Sequence, residues 1–522
     1  MHVRPKLGAN WLKLAPLVAL GAAITAGLLH GATPSTGATN SAAAKPEKVD
    51  PVQANGPIFV NWPKPSVALV FTGEQNGYIE PCGCAGLENQ KGGLKRRFTF
   101  LKELRAKGWP VVPLDAGNLE RYTGAQAALK LDFSYRALAK MGYEAVGIGE
   151  NDCKLDLLSV AINLDKSNRL VSGNVGIVDF NGGFTQRYKI IEQGGLRIGV
   201  TTVLGKTAIA HLNNPKDLTL KDPYQAIPDF LAALINAKCD QLVLLVNGDA
   251  AEAKDLANRY KEFNWVACTE GAEVPPAEPE KIEGTDAYLI QVGQKGEYAV
   301  VVGFYKGGKP SLRYQRVPLD HRFTDAPEIH QMQVEYLHGL KNLGLAGLGL
   351  KPSPHLSGRK FVGSKTCFDC HTQAAAVYEK TPHAHATETL EKRTDPPRLH
   401  DPECLSCHVT GWDPQKYFPF ESGYLSMQET PDLVGNGCEN CHGPAAKHAA
   451  AENGEIDAND AQKEELRAAL RLKIVPNEGN KEGQEYGKGK VVQMCMQCHD
   501  LDNSPSFDFQ TYWPKVKHTG KE

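Results

Sequence analysis

The sequence predicts a multidomain chain in which a layered α/β domain precedes a mostly α, loop-rich domain. At 522 residues, the chain exceeds what one hydrophobic core usually organises. Residues 65–320 alternate strand-like and helix-like runs, which is typical of an α/β domain whose site lies at the strand ends. From residue 355 onward, the chain carries eight of its 13 cysteines and ten of its 16 histidines, so reactive side chains are concentrated there.

The composition excludes two broad classes of protein. The chain has 41% hydrophobic and 23% charged residues, as globular proteins do. Its formal charge is −2, so no basic excess indicates a nucleic acid as partner. One stretch alone is apolar enough to cross lipid, which excludes a multi-span membrane protein.

Residues 1–30 have the pattern of a signal peptide or an N-terminal membrane anchor. A basic start precedes a 16-residue apolar run from Leu14 to Leu29. Because a membrane span needs about 20 apolar residues, a cleavable signal is favoured over an anchor. Either reading places the body of the protein in the periplasm or otherwise outside the cytoplasm. Residues 31–64, rich in Ala, Thr, Ser and Pro, are predicted to be a flexible linker.

Apolar runs set the predicted order of elements. A buried strand at 66–73 is followed by an amphipathic helix at 94–108. Later strand-like runs are RIGVTTVLG, QLVLLVNG, NWVACTE, AYLIQVG and YAVVVGFY. Residues 321–355 are predicted as a helix and linker, with helical periodicity over 330–345. Residues 450–490 are predicted as a surface helix followed by a loop.

The region 356–522 contains four pentapeptides of the form Cys-x-x-Cys-His, where chance predicts about 0.01. Two thiols at this spacing can add to the vinyl groups of one haem, and the adjacent histidine then reaches the iron. The sequence therefore predicts four covalent haem c groups. The attaching cysteines are Cys367, Cys370, Cys404, Cys407, Cys438, Cys441, Cys495 and Cys498, and the proximal iron ligands are His371, His408, His442 and His499. Structural zinc sites or disulfides are the alternative, but zinc does not require a histidine after every cysteine pair.

The ligand on the other side of each iron decides whether a haem carries electrons or binds a small molecule. Two histidines favour low potentials and fast electron transfer. The best distal candidates are His383, His448 and His518, followed by His385 and His400.

Residues 361–518 resemble the tetrahaem cytochrome c-554 family, which is also found as a module in multihaem oxidoreductases. The features that carry the resemblance are FVGSKTCFDCH, TPHAHA, ECLSCHVTGW, GCENCHGPAAKH and MCMQCHD. The resemblance implies closely stacked haem pairs that pass electrons along a chain, with one iron that can be five-coordinate.

The α/β region resembles the calcineurin-like metallophosphoesterases, specifically the catalytic domain of the 5′-nucleotidase family. FTGEQNGY, LDAGN, GEND, VNG and TEGAE stand where that family has its metal-binding motifs, and GGLKRR also matches. The corresponding pocket positions are Glu74, Asn76, Asn118, Glu150, Asn151, Asn247 and Glu270. None is a histidine, and an amide is a weak ligand, so we expect a catalytically inactive relative. An oxygen-only calcium or magnesium site at Glu74, Glu150 and Glu270 is the alternative.

Four cysteines of the α/β domain follow predicted strand ends: Cys82, Cys84, Cys153 and Cys268. One hypothesis is that they converge on the altered pocket as a disulfide pair or a thiolate site. The other is that Cys268 is an inert buried residue, as is Cys239.

Together these features predict an exported electron-transfer protein whose phosphoesterase-like domain docks redox partner proteins. An alternative is a haem oxidoreductase that acts on a small nitrogen or sulfur species at an open haem. A third is a metal-dependent phosphoesterase. The sequence favours an electron carrier over an enzyme, and it leaves the oligomeric state open.

Overall fold

The structure, a computed structural model, describes residues 49–81, 89–163, 169–181, 183–213, 215–308, 310–472 and 489–521. The predicted signal or anchor at 1–30 lies outside the described residues. Among the residues described, no helix combines the length and apolar character that a membrane crossing requires.

Two β-sheets form the centre of the N-terminal half. The first has the strand order β13-β12-β1-β2-β3 and the second has the order β10-β11-β9-β8-β6-β5. The first sheet's strands are β1 (Val67–Thr72), β2 (Val111–Asp115), β3 (Ala145–Val146), β12 (Tyr298–Phe304) and β13 (Leu312–Pro318). Those of the second are β5 (Lys189–Gln193), β6 (Leu196–Leu204), β8 (Gln241–Asp249), β9 (Trp265–Glu270), β10 (Glu280–Lys281) and β11 (Tyr288–Gln291). Short strands β4 (Val175–Ile177) and β7 (Leu218–Leu220) pair separately.

Helices cover the outer faces of both sheets, so the domain has four layers. The helices of this half are α1 (Pro51–Asn55), α2 (Leu94–Ala106), α3 (Ala125–Lys140), α4 (Leu157–Asn163), α5 (Lys206–His211), α6 (Pro223–Ala226), α7 (Pro228–Asn236), α8 (Ala250–Arg259) and α9 (Pro327–Gly347). Alternate residues of β1 face opposite ways: Leu69 packs between the sheets and Val70 packs under α2, α3 and α9. Burial on both faces explains why the strands read as unbroken apolar runs.

Parallel pairing of β1 with β2, of β2 with β3 and of β8 with β9 brings the ends of these strands to one edge of the domain. The loops that follow them therefore lie close together. The layered α/β fold predicted from the sequence is confirmed.

Two segments outside the predicted α/β domain (65–320) pack against it. The linker was expected to run to residue 64, but α1 forms within it and the Phe59 and Trp62 rings contact Trp109 at 5.2 and 6.0 Å. Helix α9 was expected to lead into a linker, yet it packs on α2 and α3 as part of the core. Its apolar stripe, which includes Leu340, explains this packing.

The C-terminal region consists of short helices joined by loops. Its helices are α10 (Ser364–Phe368), α11 (Thr372–Tyr378), α12 (Ala386–Glu388), α13 (Pro402–His408), α14 (Cys438–His442), α15 (Ala446–Glu452), α16 (Asp460–Leu470), α17 (Lys490–Cys495) and α18 (Phe509–Val516). Strands β14 (Trp412–Asp413) and β15 (Phe418–Pro419) form a small hairpin. Helix α16 fits the surface helix predicted within 450–490. The described hydrophobic clusters here are small, one around Trp412 and one around Phe507.

Candidate haem sites and altered phosphoesterase pocket

Each Cys-x-x-Cys-His motif lies on or directly after a short helix. Helices α13 and α14 end at the motif histidine itself, whereas His371 and His499 follow α10 and α17 by a few residues. The amide of each of these two histidines donates to the carbonyl oxygen of its motif's first cysteine, at 2.9 Å in both cases. One turn of helix thus sets both thiols and the imidazole in fixed relative positions.

Three motif histidines face a second histidine. The ring centroids are 6.4 Å apart for His371 and His448, and 6.1 Å apart for His499 and His383. For His442 and His518 the separation is 5.8 Å. When two imidazoles bind one iron from opposite sides, each iron–nitrogen bond is about 2 Å long, and each ring centre lies roughly 1.1 Å beyond its nitrogen. The two ring centroids are then about 6.2 Å apart. These pairs therefore fit an iron between their rings.

For three of these imidazoles, burial favours the neutral form, which is the form that binds a metal. It lowers the pKa of His499 to about 4, and it also lowers the pKa of His442 and His383. The Nδ1 atom of His442 lies 2.8 Å from the carbonyl oxygen of Leu470, which accepts a hydrogen bond and leaves Nε2 for the iron.

His408 differs from the other motif histidines. Its Nδ1 lies 2.8 Å from the carbonyl oxygen of Ala386, so its Nε2 is also available for an iron. In the part of the chain that the structure describes, however, no second imidazole ring contacts His408. Of the remaining distal candidates, His385 lies 3.4 Å from the Glu388 carboxylate, and His400 makes no ring contact with a motif histidine among the described residues.

The motif cysteines adjoin one another across the region. The Cys367 thiol is an electrostatic neighbour of the Cys438 thiol, and the Cys407 thiol is one of the Cys498 thiol. The Cys441 thiol is an electrostatic neighbour of Cys495. The first motif therefore adjoins the third, the third adjoins the fourth, and the fourth adjoins the second.

The altered phosphoesterase pocket lies where β1, β2, β3, β8 and β9 end. The Glu74 carboxylate accepts hydrogen bonds from the amides of Asn118 at 2.6 Å and Asn76 at 2.9 Å. All three residues have a left-handed backbone, with φ of 49°, 57° and 52° respectively, which is rare outside glycine. Burial raises the pKa of Glu74, against the opposing effect of the two amides, and Glu270 raises it further.

The other pocket residues also bond within the protein. Asn247 Oδ1 accepts from the Glu150 amide at 3.0 Å. The Glu150 carboxylate contacts Lys154 at 2.8 Å and His211 at 3.2 Å. Asn118 Oδ1 accepts from the Asn151 amide at 3.2 Å. Among the described residues, no group of three or more His, Cys, Asp or Glu side chains is arranged to hold a metal ion.

Asp152 is a pocket residue that the sequence reasoning did not select. Its fully buried carboxylate accepts hydrogen bonds from the amides of Asn118, Gly149 and Glu120 at 2.9–3.1 Å, and so connects two strand-end loops. Burial raises its pKa to about 7. Its place in GEND, next to two of the pocket positions, was the available signal.

The structure does not bring Cys153 and Cys268 together. Cys153 packs in the cluster under α2 and α3, whereas Cys268 packs in the cluster under α7 and α8. Burial raises the pKa of Cys268 to about 12 and raises that of Cys153 as well. Cys82 and Cys84 lie outside the described residues.

Comparisons with known proteins agree with both halves of this description. The family model of cytochrome c554 and c-prime matches residues 366–443, which include the first three motifs. Cytochrome c-554 of Nitrosomonas europaea is 35% identical over 96 residues, or 16% of this chain and 38% of that protein. The snake venom 5′-nucleotidase of Crotalus adamanteus is 24% identical over 252 residues, or 46% of this chain and 42% of that protein. The chain thus spans less than half of each curated relative.

Two solved structures have a partly similar arrangement of elements. A Thermus thermophilus sulfate thiohydrolase matches with a TM-score of 0.45 and 14% identity, covering 54% of this chain and 62% of that one. A 5′-nucleotidase precursor from Thermus thermophilus matches with a TM-score of 0.44 and 16% identity, covering 64% and 80%.

The chain therefore combines a cytochrome c region with a phosphoesterase-like α/β domain. The first is similar to the cytochrome c-554 family over residues 366–443. The second is related to the 5′-nucleotidases. Both resemblances noted in the sequence are confirmed.

If His518 ligates the iron attached at the third motif, His518→Ala opens one coordination position. We expect a new high-spin signal from one haem in the electron paramagnetic resonance spectrum, with the haem content unchanged. His385→Ala, which removes an exposed histidine directed toward Glu388, is the control and should leave the spectrum unaltered. An unchanged spectrum in His518→Ala would contradict the assignment.

Proposed function

We propose that the protein is an exported electron carrier with four covalent haems and a hydrolytically inactive phosphoesterase-like domain that docks redox partner proteins. The observation that carries the proposal is the set of three facing histidine pairs. Each bound haem supplies an iron that takes up and releases one electron. Two imidazoles hold such an iron with little rearrangement between its two states, which favours fast electron transfer.

The order in which the motifs adjoin supports a continuous path. Neighbouring cysteines connect the first motif to the third, the third to the fourth and the fourth to the second. Glu439 of the third motif also accepts hydrogen bonds from the amides of Val362 and Gly363, which lead into the first motif. The polypeptide thus keeps successive attachment points side by side.

The residues of the altered pocket support the proposed inactivity. A dinuclear hydrolase needs carboxylates and imidazoles that are free to hold two metals. Here the Glu74 carboxylate bonds two amides, and Glu150 bonds the Lys154 ammonium, which would repel a cation. Hydrogen bonds within the protein have replaced the contacts that metals would make.

The haem count is tested by mass spectrometry of the mature chain, made in a host equipped for cytochrome maturation. We expect the mass of the polypeptide plus four haems, and four one-electron steps in a potentiometric titration. A chain without added haem mass would overturn the proposal. The same spectrum reports whether residues 1–30 are removed.

The proposed inactivity is tested by assaying the haem-loaded protein on a phosphodiester and a nucleoside monophosphate with added manganese, magnesium or calcium. We expect no turnover above background, because the pocket side chains already bond one another. Metal-dependent hydrolysis that Glu74→Gln abolishes would refute this part of the proposal.

A haem oxidoreductase is the second candidate, and the setting of His408 favours it. Among the described residues no second imidazole ring contacts His408, and the nearby His383 ring is paired with His499. We infer that the iron attached there would have an open position for a small nitrogen or sulfur species. We expect the reduced protein to bind carbon monoxide at one haem in four, measured by difference spectroscopy. If no haem binds carbon monoxide, the haem oxidoreductase candidate is excluded and the electron carrier is retained.

A further inference from the structure

The phosphoesterase-like domain contacts the haem region at its second and fourth motifs. Four hydrogen-bonded contacts reach the start of α13 or the loop after the fourth motif. These join Gln126 to Asp401 at 2.9 Å, Lys130 to Glu403 at 2.6 Å, Arg121 to Asp502 at 3.0 Å and Lys295 to Asp502 at 2.5 Å. Glu403 directly precedes Cys404, an attachment point of the second motif. One domain therefore places its side chains beside a motif of the other domain that would attach a haem.

Lys130 is the buried cation of this interface. Its side chain is 8% exposed, and its ammonium donates to both carboxylate oxygens of Glu403, at 2.6 and 2.7 Å. The carboxylates of Glu120 and Asp401 also act on it. Burial opposes the charge on Lys130, but these carboxylates outweigh that effect and raise its pKa. The ammonium therefore stays charged at neutral pH.

The groups around Lys130 have an excess of negative charge. Glu120 is fully buried, and its Oε2 has no hydrogen-bond partner among the described residues. Asp401 caps α13 by accepting from the Glu403 amide at 3.1 Å. Arg398 is an electrostatic neighbour of Asp401. Without Lys130, three carboxylates at the start of a haem-bearing helix would face one guanidinium.

A fixed positive charge favours reduction of a nearby iron, because reduction adds one negative charge, and low-dielectric surroundings extend this effect. We propose that Lys130, a residue of the phosphoesterase-like domain, raises the reduction potential of the haem attached at Cys404 and Cys407. The inference rests on the proposed function for the presence of that haem. It makes the α/β domain a determinant of where electrons reside in the chain of haems.

Lys130→Met in the full-length, haem-loaded protein tests this role by potentiometric titration. We expect the equilibrium constant for reduction of one haem to fall at least tenfold, which is about 59 mV for one electron. The reduction potentials of the other three haems should change less. Lys130→Arg keeps the charge and should restore the potential.

The matched control is Lys140→Met, at the exposed end of the same helix, which should leave all four potentials unchanged. If Lys130→Met fails to fold, Glu403→Gln replaces it, and its loss of a negative charge should raise the same potential. Four attached haems with unaltered potentials in the folded variant would overturn the inference alone. Missing haem mass at the second motif would instead overturn the proposed function.

Discussion

The approach of two imidazoles to about 6 Å is the constraint on which the C-terminal region depends. His448, His383 and His518 come from different short helices and loops, and each meets a motif histidine far from it in sequence. The two described hydrophobic clusters of this region are too small to define such a fold by themselves. Under the proposed function, haem attachment at a local motif, with ligation from a distant histidine, would supply much of the cross-linking that a larger core gives.

The polar side chains at the strand ends of the α/β domain bond mainly to one another and to nearby backbone amides. Buried polar groups need partners, and here amides and carboxylates satisfy one another. Glu74 accepts from two asparagines, while Asp152 gathers three backbone amides. The strand ends therefore remain joined through hydrogen bonds, and the left-handed residues in these loops are held by the same network.

The sequence predicted those elements and motifs that depend on a local pattern of residues. Apolar runs located β1 and α2 to within two residues, because burial on both faces leaves a continuous signal. The motif cysteines follow from spacing alone. The packing of Phe59 and Trp62 on Trp109 was not foreseen, since it depends on residues far apart in the chain. The pairing of Lys130 with Glu403 was missed for the same reason, as it joins two domains.

That ion pair also bears on how the molecule moves. Separating the domains would break this pair, in which the ammonium is 8% exposed and donates to both carboxylate oxygens of Glu403. Arg121 and Lys295, which share Asp502 at 3.0 and 2.5 Å, would lose their partner as well. A hinge between the halves is therefore disfavoured. Under the proposed function, a redox partner therefore meets a surface of fixed shape, and the distances between the haems are set when the protein folds.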